Sequence, residues 1–178
     1  RNWGFDEIEG PTYEHLDLYT VKSGPGIVSE LFSFERSGGD TTYALRPEFT
    51  PTLARMAVAQ GRSLSVPTKW FSIPPLFRAE RPQRGRLREH VQWNVDLLGI
   101  STAEADAEVI AVAIAALDRL GLDPSMVQVK YSHRDVVGRL LGRLGVDSEN
   151  LPSALQLLDR RDKMPEDAFL TAVRELGL

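Results

Sequence analysis

Apolar and polar residues alternate strictly over Val91–Leu97, with Val91, Trp93, Val95 and Leu97 set against Gln92, Asn94 and Asp96. Period-two geometry puts the apolar set on one face of a strand and three hydrogen-bonding side chains in a row on the other. The stretch Trp70–Gly99 therefore predicts two strands joined by a loop, and the first strand ends in FRAE, where Arg78 and Glu80 share a face. Upstream, GFDEIEGPTYEHLDLY alternates weakly around Gly10 and Pro11, which predicts a strand that bends before a short helical turn. LFSFERSGGDTTYAL predicts a hairpin turning at Gly38-Gly39-Asp40.

Helical spacing takes over elsewhere. TLARMAVAQ ends at Gly61, with Thr50 as the expected N-cap and Pro51 at the first helical position. Ser101 and Glu104 read as a capping box opening a helix that Gly121 closes. Its apolar positions Val109, Val112, Ala113, Ala116, Leu117 and Leu120 recur as one stripe expected to pack on a sheet. Val127–Ser132 alternates again and predicts one more strand of that sheet, and from Arg134 the pattern is helical to the end. The expected organisation is a core over residues 1–133 and a small helical segment over 134–178.

Composition narrows the function classes. The 178 residues, 42% hydrophobic, suffice for a real core. No apolar run reaches the length of a membrane span, and there is no secretory signal pattern. Without cysteine, disulfides and thiolate metal sites are excluded, which fits an intracellular, cytoplasmic protein. His15, His90 and His133 are scattered without ligand spacing, so no metal site is assigned. Both chain ends, Arg1 and Leu178, read as boundaries inside a longer protein.

Five arginines lie within Arg78–Arg88 (Arg78, Arg81, Arg84, Arg86 and Arg88) in a chain of net charge −4, with Pro82 and Gly85 shaping the loop between them. An antiparallel sheet with one wet face explains the alternation alone. The local concentration of guanidinium groups beside a carboxylate and two amides points further, to a zwitterionic substrate next to a polyphosphate. A general nucleic-acid module fits less well, since the loop has no interleaved stacking aromatics and the chain is acidic.

LRPEFTPTLARM, followed by FRAERPQRGRLREHVQWNVDLLG, resembles the catalytic core of the histidyl-tRNA synthetase family, a class II aminoacyl-tRNA synthetase family. GFDEIEGPTYEHLDLY resembles the end of the first class II motif, the FRAE hairpin the second, and the helical tail with LDRRDKMPED the family's insertion. The resemblance implies an α+β fold, a mostly antiparallel sheet flanked by helices, with a small helical appendage. It implies activation of histidine by ATP to histidyl-adenylate, with magnesium accompanying the nucleotide, and transfer of histidine to tRNA(His) by a homodimer at full length.

Residue by residue, Arg78 matches the arginine at the alpha phosphate and substrate carboxylate, and Glu80 and Arg86 match nucleotide contacts. Glu48, Thr50 and Gln92 match the acceptors of the alpha-ammonium, and Asp96 the acid that reads the imidazole. Asp96 stands where the family more often has glutamate, Asn94 where a small residue is usual, and Phe49 where many relatives have glycine. The ordinary roles of the same residues are helix capping for Glu48, strand bonding for Gln92 and a solvated loop charge for Arg86. No third class II motif is found in the chain, so it is not expected to aminoacylate alone. The alternative implied by the same fold is the synthetase-like regulatory subunit of ATP phosphoribosyltransferase, which activates no amino acid.

Overall fold

The computed structural model describes residues 3–81 and 83–176. Pro82, one of the two residues expected to shape the arginine loop, and both chain ends lie outside the described residues. The chain forms two compact units, Arg1–Leu122 and Asp123–Leu178, where the sequence pattern had placed the division between 133 and 134.

In the first unit, β1 (Asp6–Glu7) runs parallel to β5 (Thr68–Ser72), and β5 pairs antiparallel with β8 (Asn94–Leu98). A second sheet is antiparallel throughout, with β4 (Thr42–Leu45) between β2 (Tyr13–His15) and β3 (Ser33–Glu35). β6 (Pro75–Phe77) and β7 (Glu89–Val91) form a third, two-stranded sheet. The helices of this unit are α1 (Asp17–Ser23), α2 (Thr50–Gln60) and α3 (Ala103–Arg119). This is a mixed α+β architecture with mainly antiparallel pairing.

The expected two-strand hairpin is present but broken once in each arm. β5 and β6 are separated at Ile73-Pro74, and β7 and β8 at Gln92-Trp93. Pro74 has no N–H to give the ladder; its carbonyl instead accepts from the Gln92 N–H at 3.2 Å, which holds the arms together across the kink.

Ladder partners fix the faces. Trp70 lies opposite Asp96 and Ser72 opposite Asn94, so these four share one face, while Phe71 and Val95 share the other. Trp70 packs with Phe49, Leu53 and Leu76 in the main core, which places α2 on the Asp96 side. On the far side Phe71 and Val95 line an apolar groove with Val112, Ala115 and Ala116 of α3. The α3 stripe thus packs on the sheet as its spacing predicts, except at Leu120, which lies at the helix end and is exposed.

Two caps shift by one residue. Thr50 is the first residue of α2 and Phe49 the cap, without a side-chain bond. At α3 the extended residue is Thr102, and its hydroxyl, not that of Ser101, meets Glu104. The closing glycine behaves as expected: Gly121 at φ +78° donates to Asp118 O while Leu122 donates to Leu117 O, a Schellman ending.

Gly10 is required by close approach. A Cβ there would lie 2.7 Å from Thr52 Cγ2 and 2.9 Å from Phe49 Cε2, both on fully buried residues of the α2 entry. Gly10→Ala is expected to cost about 1–3 kcal/mol by overpacking, read as a lower denaturant midpoint in tryptophan fluorescence. All three tryptophans (Trp3, Trp70 and Trp93) fall in the first unit, so the signal reports that unit alone.

The second unit contains α4 (Arg134–Arg143), α5 (Leu151–Arg160) and α6 (Glu166–Glu175), the three helices the pattern predicts. The strand expected over Val127–Ser132 does not form: these residues pair with no strand among the described residues, and Tyr131 is 83% exposed. Alternation supplies a two-sided segment, but a strand also needs a neighbouring edge to bond.

Candidate functional site

The LRPEFT segment leaves β4 and enters α2, and Arg46 is its structural anchor. Period two puts Arg46 on the same side as Ala44, which is fully buried, so its guanidinium is carried inward and is 2% exposed. There Nη1 donates to Gly10 O (2.8 Å) and Pro11 O (3.1 Å), and Nε donates to Pro75 O (2.9 Å). Burial pulls the Arg46 pKa down from its ordinary value, and the three carbonyls are what a buried guanidinium needs. The main chain adds two ties, Arg46 N–H to Thr12 O and Phe77 N–H to Arg46 O. One residue therefore fastens the β1–β2 bend and the start of the FRAE strand to the LRPE turn. In the sequence Arg46 stands out only as part of LRPEFT; the signal that marks it is an arginine continuing the buried phase of an alternating strand.

This anchoring sets the position of Arg78. The arginine follows β6 and is half-buried, and its Nε donates to Pro47 O at 3.3 Å, the carbonyl immediately before Glu48. Glu48 is half-buried in that turn, and Thr50, the first residue of α2, is exposed. The structure thus brings Arg78 to the Glu48 turn.

The loop beyond is shaped as well as charged. Gln83 and Arg86 bridge around Arg84-Gly85, with Gly85 at φ +78°, a conformation glycine adopts without strain. Arg86 Nη1 reaches Glu80 Oε2 at 2.9 Å, and Arg88 Nε donates to Glu80 O at 3.3 Å. Glu80 and Arg86 therefore meet each other within the loop.

The polar row, Gln92 at the β7–β8 break and Asn94 and Asp96 on β8, is half-buried, whereas Val91 and Trp93 of the apolar row are 67% and 42% exposed. Gln92 Nε2 donates to Asn94 Oδ1 at 2.7 Å, and Asn94 Nδ2 donates to the Gln92 main-chain carbonyl at 3.3 Å. Asp96 sits behind them on the face that packs toward Phe49, the residue between Glu48 and Thr50. Ser72, opposite Asn94, is buried with no partner for its hydroxyl; nothing in its sequence context singled it out.

Burial pushes the Asp96 carboxyl above the ordinary aspartate range. The folded state then holds that proton more readily than the unfolded chain, so this group's contribution is fully present below the unfolded pKa and is lost as pH rises through the folded value. Asp96→Asn is expected to be more stable than the parent at pH 7, with the difference closing in acid, as measured by denaturant unfolding across that range.

Beside this face a cavity of about 490 Å³ is lined by Glu9, Gly10, Arg46, Phe49, Ser72 and Pro75, among others. Among the described residues no three histidine, aspartate or glutamate side chains gather where they could hold a metal ion, and no helix is long and apolar enough to cross a membrane. The structure thus sets Arg78 at the turn that carries Glu48, joins Gln92 to Asn94 and pairs Glu80 with Arg86; a guanidinium at a carboxylate-bearing turn suits an anion and an ammonium held close together.

The chain is 44% identical over 178 residues to the histidine–tRNA ligase of Haloarcula marismortui, covering 100% of this chain and 40% of that protein. It thus spans about two fifths of the length of the curated relatives it matches. A solved structure from Bacillus halodurans, described as an ATP phosphoribosyltransferase regulatory subunit/histidyl-tRNA synthetase, is similar with a TM-score of 0.60 at 36% identity, over 68% of this chain and 31% of that one. The histidyl-tRNA synthetase of Nostoc sp. PCC 7120 shares the fold, with a TM-score of 0.75 at 19% identity over 99% of this chain and 38% of its own. The family model for histidyl-tRNA synthetase matches residues 1–174, and on that match and the near relatives together the chain belongs to the histidyl-tRNA synthetase family.

Proposed function

We propose that this chain forms part of the active site of a class II histidine–tRNA ligase, in which ATP activates histidine and the aminoacyl group passes to tRNA(His). In the first step a histidine carboxylate oxygen attacks the alpha phosphorus and pyrophosphate leaves. In the second a terminal tRNA hydroxyl attacks the activated carbonyl and AMP leaves. Two anions must meet in the first step, and fixed positive charge aimed at the phosphate stabilises the charge that develops there. The observation carrying this reading is Arg78 tied to Pro47 O, which sets a guanidinium at the turn that carries Glu48, one of the residues read as ammonium acceptors.

Glu48, Thr50 and Gln92 take the alpha-ammonium, whose three N–H donors suit a carboxylate, a hydroxyl and an amide oxygen. Asp96 reads the imidazole, and Glu80 and Arg86 meet the nucleotide once their mutual pair at 2.9 Å opens. Magnesium supplies charge neutralisation on the ATP phosphates and needs few protein ligands; Glu80 is the one carboxylate between Arg78 and Arg88. The active form is a cytoplasmic homodimer of the full-length protein.

A second reading has one observation in its favour, the Bacillus halodurans neighbour whose description includes a regulatory subunit of ATP phosphoribosyltransferase. That role requires no adenylate chemistry, and retention of Arg78, Glu80 and Arg86 favours the ligase. Calorimetric titration of the full-length protein with non-hydrolysable histidyl- and alanyl-adenylate analogues separates the two. The ligase reading predicts selective binding of the histidyl analogue; equal binding of both, or none by folded protein, counts against it.

A further inference from the structure

We propose that Asn94 is a positioning residue for Gln92, turning its side chain so that the carbonyl oxygen and not the amino group faces the substrate ammonium. The inference rests on the reading of Gln92 as an ammonium acceptor. A glutamine amide has two ends of nearly equal size and opposite hydrogen-bonding sense, so its orientation is set only by its partners. Here the partners form an ordered chain. A main-chain carbonyl can only accept, so the Gln92 carbonyl fixes Nδ2 as the end of Asn94 that turns toward it, at 3.3 Å. Oδ1 of Asn94 is then left to face Gln92, and it accepts from Nε2 at 2.7 Å. That leaves Oε1 as the outward end of Gln92. An inverted amide would set N–H groups against an ammonium, which has donors and no acceptor. Both residues are half-buried and Asn94 shares its face of β8 with Asp96, so the residue that orients Gln92 and the imidazole-reading carboxylate belong to one strand face.

The test compares histidine with 3-(imidazol-4-yl)propionate, which keeps the carboxylate and imidazole and lacks the ammonium, by calorimetry on the full-length protein. Asn94→Ala is expected to weaken histidine about tenfold, the scale of one hydrogen bond to a charged group, and to change propionate binding by less than about twofold. In a Gln92→Glu background, where either end of the side chain accepts and Oδ1 of Asn94 would face a carboxylate oxygen, adding Asn94→Ala is expected not to weaken histidine binding. Asn94→Thr, which removes the amide but keeps a good strand former, serves if the alanine variant does not fold. Equal weakening of both ligands, no weakening of histidine, or full weakening in the Gln92→Glu background overturns the assignment while leaving the ammonium site intact. A parent protein that binds propionate as tightly as histidine removes the ammonium site itself, and the role of Asn94 with it.

Discussion

Arg46→Met is expected to destabilise the first unit by roughly 3–5 kcal/mol, given that buried hydrogen bonds involving a charged group contribute about 1.5–3 kcal/mol each and orphaned acceptors carry their own cost. The methionine keeps much of the side-chain volume, so the loss isolates the hydrogen bonds. Gly10 O, Pro11 O and Pro75 O are left without their donor, and two segments separated from residue 46 by 29 to 36 positions lose their common tie. The guanidinium also lies 5.8 Å from the Phe49 ring centroid, so the substitution loosens the residue on which Gly10 and Trp70 pack. Arg46→Lys is not expected to rescue, because one ammonium lacks the planar, spaced donors that reach carbonyls on both sides. Urea unfolding followed by tryptophan fluorescence checks this, and a loss under about 1 kcal/mol would show that the carbonyls find other donors.

Arg78→Ala is expected to leave that unfolding curve nearly in place and, on the proposed ligase reading, to lower adenylate formation by the full-length protein roughly 10²–10³-fold, the usual cost of removing one preorganised group at a developing charge. The asymmetry with Arg46 follows from geometry. Arg78 is half-buried, and its hydrogen bond to Pro47 O is long at 3.3 Å, so little folding energy rests on it. On the proposed reading its value is the guanidinium it sets at the Glu48 turn. Arg78→Lys keeps the charge and is expected to recover only part of the rate, because the bidentate fork toward a carboxylate and a phosphate is lost. Single-turnover kinetics with saturating ATP separate this effect from weaker nucleotide binding.

Features of the chain that depend on local order were legible in the sequence. The FRAE hairpin, the α3 helix with its Gly121 ending and the three terminal helices follow from periodicity and end signals that act within a few residues. What depended on distant partners was not. Val127–Ser132 carries a strand's alternation and finds no edge to bond, and the breaks at Ile73-Pro74 and Gln92-Trp93 need both arms before they can be placed opposite each other. The caps moved by one residue for different reasons: at α3 two hydroxyl residues stand side by side and Thr102 takes the extended cap conformation, while at α2 the helix takes in Thr50 itself and leaves Phe49 as the cap.

Within the site, residue types were legible and their couplings were not. The polar row Gln92, Asn94 and Asp96 is visible as a pattern, but that Asn94 stands between a main-chain carbonyl and the Gln92 amide required coordinates. Arg46 shows the same limit: an arginine at a buried phase signals a compensated charge, and only the fold reveals that the compensation comes from carbonyls of Gly10, Pro11 and Pro75.

Whether this site activates histidine is tested most directly by histidine-dependent exchange of labelled pyrophosphate into ATP by the full-length protein. The predicted result is exchange that requires histidine and falls by roughly 10²–10³-fold in Arg78→Ala. Folded protein that shows no exchange with histidine, or exchanges equally well without it, would contradict histidine activation by this site.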